Sequence, residues 1–193
     1  MRLRHLALIL ALTGTILSAQ HTVWPIRDAP ADLRPLIARA DLMIAEMHDS
    51  VLRELNDAFA SVGADKAMSS CHIDSILITQ RLGREGIAAG RTSDRLRNSR
   101  HAPRPWAAAL VHANAGRQAR DVEGFAVDLG DRLGVLRPIA ERPMCATCHG
   151  PADRLSPAIR AQIAERYPAD KAVGFKEGEI RGWFWVEIPK RPR

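Results

Sequence analysis

The chain has 193 residues, 46% of them hydrophobic and 26% charged, enough for one domain with its own core and at most two. Aromatic residues make up only 5%, which argues against a nucleic-acid binder built on base stacking. The formal charge is +6, with cations and anions interspersed. That pattern describes a solvated surface, with at most weak steering toward an acidic partner or an anionic membrane surface.

The first residues read as a secretory signal peptide over 1–19. Arg2, Arg4 and His5 are its basic start, Leu6 to Leu17 its apolar stretch, and Ser18-Ala19-Gln20 supplies the small residues of a cleavage site. An uncleaved anchor is the alternative, because Leu17 is large for its position. Removing residues 1–19 takes the formal charge from +6 to +4. Export implies a periplasmic location and permits disulfides, yet the cysteine count is three, an odd number.

Residues 20–64 read as a linker, containing Pro25 and Pro30, followed by a long helix. Leu33, Ile37, Ala40, Ile44, Met47, Val51 and Leu55 recur at helical spacing, with Asp32 as cap, Pro35 in the first turn and Gly63 as stop. Residues 65–193 form the remaining domain. A second helix is expected from Asp65 to about Leu82, with Cys71 on its apolar face; Gly83, Gly86 and Gly90 break the pattern. Residues 91–105 read as an ordered loop that leads into a helix starting near Pro105 or Trp106 and ending around Gly116 to Arg120. Strands over Glu123–Leu129 and Leu133–Ala140 flank the hairpin turn Gly130-Asp131-Arg132. A helix from Ser156 to Tyr167 has Ser156 as cap and Pro157 at its first position. A last strand covers Ile180 to Ile188, where Trp183, Phe184 and Trp185 read as core or pocket wall. Helices followed by a small antiparallel sheet make an α+β plan, with the chemistry on a loop.

That chemistry is Cys145-Ala146-Thr147-Cys148-His149. Cys-x-x-Cys-His is the attachment pattern for one covalent c-type haem. Two thiols spaced this way reach the two vinyl groups of a porphyrin edge, and the adjoining His149 supplies the proximal imidazole. Two other readings compete. A redox dithiol suits Cys145 and Cys148, but Gly150-Pro151 fits poorly with the helix such a motif precedes. A zinc site of Cys71, Cys145, Cys148 and His149 requires neighbouring residues to turn toward one ion. The sixth haem ligand is left open among Cys71, Met43, Met47, Met68, Met144, His48, His72, His101, His112 and none. A methionine would raise the reduction potential and a thiolate would lower it. An open site would suit a peroxidase or a gas-reacting enzyme.

Several segments taken in order resemble the Tll0287-like haem domain family over about residues 65–188. They are Cys71, Arg91-Thr92-Ser93-Asp94-Arg95-Leu96-Arg97-Asn98, Ala102-Pro103 with Trp106, and Leu136-Arg137-Pro138-Ile139. Met144 to Gly150 and Asp170 to Gly182 complete the set. The resemblance implies a PAS-like α+β fold with one haem c, His149 as proximal ligand and Cys71 as distal ligand. Ser99-Arg100-His101 departs from the Pro-x-Asn expected in that loop, which leaves the local pocket unsettled. Arg91, Arg97 and Arg181 are candidates for pairing with haem propionates, since guanidinium binds carboxylate in a two-pronged manner. The expected role is redox sensing or low-potential electron transfer rather than catalysis. The last strand lies close to the final residue, so a sensor would signal through a partner protein.

Overall fold

The computed structural model describes residues 21–63, 66 and 86–191. The expected signal peptide and the second helix with Cys71 lie outside the described residues.

Two long strands, β4 (Arg132–Ala140) and β5 (Ile180–Pro189), pair antiparallel and form the centre of a five-stranded sheet. β3 (Phe125–Asp128) pairs with β4 through the expected hairpin, and β2 (Ala88–Thr92) pairs with β5. β1 (Val23–Pro25) adds to the outer edge of β3, giving the order β1-β3-β4-β5-β2 with every pair antiparallel. The residues read as a linker therefore contain an edge strand. Its Pro25 is tolerated because an edge strand need not donate on its outer side.

Alternation along β4 and β5 divides the sheet into two faces. Leu133, Val135 and Ile139 join Phe184, Val186 and Ile188 on one face, under Ile37, Ala40, Met43, Ile44 and Met47 of helix α1 (Arg34–Val62). Arg137 shares that face and binds Asp41 of α1 in a two-pronged pair at 2.7 and 2.6 Å. Leu136 and Trp183 occupy the other face, beneath Ala107 and Val111. There Trp106 lies against Gly134, where a Cβ would stand 3.0 Å from its ring.

α1 ends at Gly63, as its sequence predicts, in a positive-φ conformation suited to glycine. Its start differs: Asp32 sits within a short 3-10 turn (Ala31–Leu33), and Leu33 precedes the helix with no side-chain cap. The stretch from residue 91 begins inside β2 rather than in a loop. Helix α2 (Ala108–Ala113) is shorter than expected at both ends. The residues from Cys145 to His149 lie on a short helix, α3 (Pro143–His149), not on a loop; Pro143 occupies its first turn, where the missing N–H costs nothing. Helix α4 (Pro157–Arg166) is capped by Ser156, whose hydroxyl accepts from the Ile159 N–H at 3.1 Å. Among the described residues no helix is long and apolar enough to cross a membrane.

Candidate functional site

Helix α3 ends sharply at Gly150, where any Cβ would collide with the Ala146 carbonyl at 2.6 Å. The segment 172–175 then runs beside the helix end. Gly174 N–H donates to the Gly150 carbonyl at 2.8 Å, and Phe175 N–H donates to the His149 carbonyl at 3.0 Å. These bonds bring the Ala172 carbonyl to His149 Nδ1, at 2.7 Å. A ring nitrogen facing a carbonyl must be the N–H, so the lone pair of the neutral imidazole falls on Nε2. Burial, and then the positive charges of Arg181 and Arg97, hold the His149 pKa well below its usual range. The ring is therefore neutral and fixed in one tautomer, the form in which histidine binds metals.

Two arginines secure this arrangement. Arg97 binds Asp170 at 3.1 Å and donates to the carbonyls of Cys148 at 2.6 Å and Ala172 at 3.3 Å. Arg95 stacks 3.5 Å from the centre of the Phe175 ring, donates to the Val173 carbonyl at 3.2 Å and pairs with Glu179 at 2.8 Å. Arg97 spans the loop and the motif, and Arg95 holds the loop that carries Ala172, so the position of His149 depends on residues far away in sequence. Cys148 packs against the cluster of Leu155, Ile159 and Ile163 from the segment that includes α4.

Cys145, Cys148 and His149 border one cavity of about 330 Å³. Val51, Leu55 and Phe59 from the second half of α1, with Ile139 from β4, contribute apolar wall. Arg91, Arg95, Arg97, Arg100 and Arg181 give it a cationic side. The structure thus brings together every described residue singled out for the site: Cys145, Cys148, His149, Arg91, Arg97 and Arg181. Arg97 differs from the other arginines in that its donors reach the backbone of the motif itself. Among the other candidates for a sixth ligand, Met144 and His101 line the cavity. Met43 and Met47 are buried under the sheet, His48 packs on Phe184 with ring centres 5.7 Å apart, and His112 is exposed beside Asp94. Cys71, His72 and Met68 lie outside the described residues.

Sequence reasoning missed Arg95 and Arg100. It also missed Glu141, which follows β4 and is buried with an ion-pair contact to Arg181 at 3.4 Å. A glutamate between Ala140 and Arg142 carries no local signal of burial; the signal comes only from the strands packed around it.

A long helix across one face of a five-stranded antiparallel sheet, with a cavity bordered by cysteines and a histidine, defines an α+β domain. The chain belongs to the Tll0287-like family, whose pattern matches residues 30–189. The fold is shared with the crystal structure of the cyanobacterial heme-protein Tll0287, at a TM-score of 0.58 and 21% identity, covering 86% of this chain and 99% of that one. No curated protein matches the chain.

Proposed function

We propose that this chain is an exported, periplasmic protein carrying one haem c and acting in redox sensing or low-potential electron transfer. Cys145 and Cys148 would hold the porphyrin through thioethers, and His149 would bind the iron through Nε2. Cys71 would supply the opposite ligand. The observation that carries this reading is the 2.7 Å bond from His149 Nδ1 to the Ala172 carbonyl, at a cavity that both cysteines also border. The rest of the cavity suits the same group. An apolar wall accepts a macrocycle, and the cationic side suits two propionates. Arg91 and Arg181, which line the cavity, would pair with them. Arg97 instead holds the motif backbone in register.

A haem bound there supplies a one-electron couple at its iron. The residues around it orient the imidazole, exclude water with the α1 side chains and balance charge with the arginines. A carbonyl acceptor on Nδ1 raises the basicity of the histidine. With a thiolate opposite, both ligands would favour the ferric state and a low potential. A ligand that leaves on reduction would convert the carrier into a sensor, acting through a redox or signalling partner protein. The low aromatic content argues against a nucleic-acid partner, and association with an anionic membrane surface rests on weak steering alone.

The test is expression together with haem-attachment machinery. Haem that stays on the denatured chain, and is lost in Cys145→Ser/Cys148→Ser, is the expected result; a colourless protein would sink the reading. Paramagnetic resonance of the ferric form should show a low-spin thiolate signature that Cys71→Ser removes. Rapid carbon monoxide binding by the ferrous protein would point instead to an open site and to gas or peroxide chemistry.

A further inference from the structure

Glu141 stands between β4 and α3, and its side chain is 1% exposed. Its backbone is tied on both sides: its N–H donates to the Glu179 carbonyl at 2.8 Å, and its carbonyl accepts from Gly178 N–H at 2.9 Å. Neither carboxylate oxygen has a hydrogen-bond partner among the described residues. The contact that remains is Arg181, whose Nε lies 3.4 Å from Oε2 and likewise has no hydrogen-bond partner among them. Buried carboxylates are costly without hydrogen bonds, and native proteins satisfy nearly all of them. Among the described residues Glu141 and Arg181 are thus left to each other.

The second observation is where Arg181 lies. It touches Glu141 and also lines the cavity of Cys145, Cys148 and His149. Among the described residues, the charged groups facing Glu141 are Arg181 from β5, Glu179 from the turn before it, and Arg95 and Arg97 from the loop after β2. Burial pushes the Glu141 carboxyl up to about 7, against the pull of the arginines and with help from Glu179. The group is thus balanced between its two forms near neutrality.

Resting on the haem reading above, we infer that Glu141 is a redox-linked proton site, coupled to the cavity through Arg181. When the iron accepts one electron from a one-electron donor, the Glu141 carboxylate takes one proton from solvent and becomes a carboxylic acid. Oxidation returns both. No other bond forms or breaks. The direction follows from charge: an added electron removes one positive charge from the cavity, so the nearby carboxylate holds a proton more tightly. Linkage makes the effect reciprocal, and protonation of Glu141 favours the reduced state.

The experiment is a spectroelectrochemical titration of the haem-loaded full chain between pH 5 and 9. The midpoint potential is expected to be flat at low pH, to fall through the region of pH 7, and to flatten again. The steepest fall is bounded by a tenfold change in the redox equilibrium per pH unit, about 59 mV. Glu141→Gln should abolish the falling segment. Glu179→Gln, which removes the like charge facing Glu141, should move that segment to lower pH and tests the inference should the first variant fail to fold. Reduced-minus-oxidised infrared spectra should show a carboxylic acid band that appears on reduction and is absent in Glu141→Gln. A Soret band in each sample separates the two readings. Its absence overturns the haem reading and this inference with it. A Soret band with a pH-independent potential, or with a pH dependence that survives Glu141→Gln, overturns the inference alone.

Discussion

Two of the buried glutamates, one in the sheet and one just beyond the end of β4, are treated by the structure in opposite ways. Glu187 lies in β5 opposite Gly134. It accepts from Arg104 Nε at 2.7 Å, Arg104 Nη2 at 3.2 Å and Trp106 Nε1 at 2.8 Å, with Arg132 Nε at 3.8 Å. Burial pushes its pKa up, but the bonds from Arg104 and Trp106 outweigh it and hold the carboxyl below its usual range. Glu141 is at least as buried and has none of those donors, so burial prevails. The same side chain serves as a fixed anion in one place and as a proton acceptor in the other. What differs is the supply of donors, not depth. The Glu187 set is local scaffold, holding Trp106 over Gly134, whereas Glu141 is joined through Arg181 to the cavity.

The largest effect should come from removing the satisfied glutamate. Glu187→Ala strands the Trp106 N–H and the Arg104 guanidinium in a partly buried setting. Breaking a buried pair on one side costs about 3–5 kcal/mol, and the half-exposed Arg104 places this case near the lower bound. A urea unfolding midpoint lowered by the equivalent of about 3 kcal/mol is expected at any pH from 6 to 8. A loss under about 1 kcal/mol would mean that the bonds do little net work.

A smaller effect tests the surroundings of the same cluster. Gly90 in β2 faces Trp185, and an added Cβ would stand 2.8 Å from the indole. A shift of Trp185 would also disturb its contact with the Arg104 guanidinium, 5.2 Å from the ring centre. Gly90→Ala should therefore cost about 1–2 kcal/mol by overpacking. An unchanged melting temperature would show that the tryptophan and the arginine shift together without loss.

Gly90 also explains what could be read from the sequence. The hairpin of β3 and β4, the Ser156-capped helix and the last strand were legible because their signals are local: alternation, a turn with glycine, a cap followed by proline. β2 was not, because Ala88-Ala89-Gly90 lacks strand formers and its glycine reads as a break. It is a strand because its neighbour presents Trp185 and needs a residue with no side chain there. β1 was hidden by its proline and its length of three residues. The Cys-x-x-Cys-His pattern was legible from spacing alone, and the family from a resemblance carried by several segments in order. The two carboxylates were not, because burial of a glutamate is decided by strands and loops that meet only after folding. The role of Arg97 failed to show for the same reason: Asp170 and the carbonyls it binds are distant in sequence.

The smallest effect carries the most specific sign. The Glu141 carboxyl is raised above its unfolded value of 4.5, to about 7. A raised acid binds its proton more tightly in the folded state, so folding is favoured when the group is protonated in both states. That stability is present below pH 4.5, declines as the pH climbs toward 7, and levels off above it. Glu141→Gln cannot ionise and escapes the decline. The variant should match the wild type near pH 5 and exceed its stability at pH 8 by on the order of 1 kcal/mol, measured by thermal unfolding in matched buffers. The corresponding comparison at Glu187 has the opposite outcome, because there the ionised form is the one the protein binds. If Glu141→Gln instead lowered stability at pH 8, the carboxylate would have donors supplied from outside the described residues, and the two glutamates would be alike.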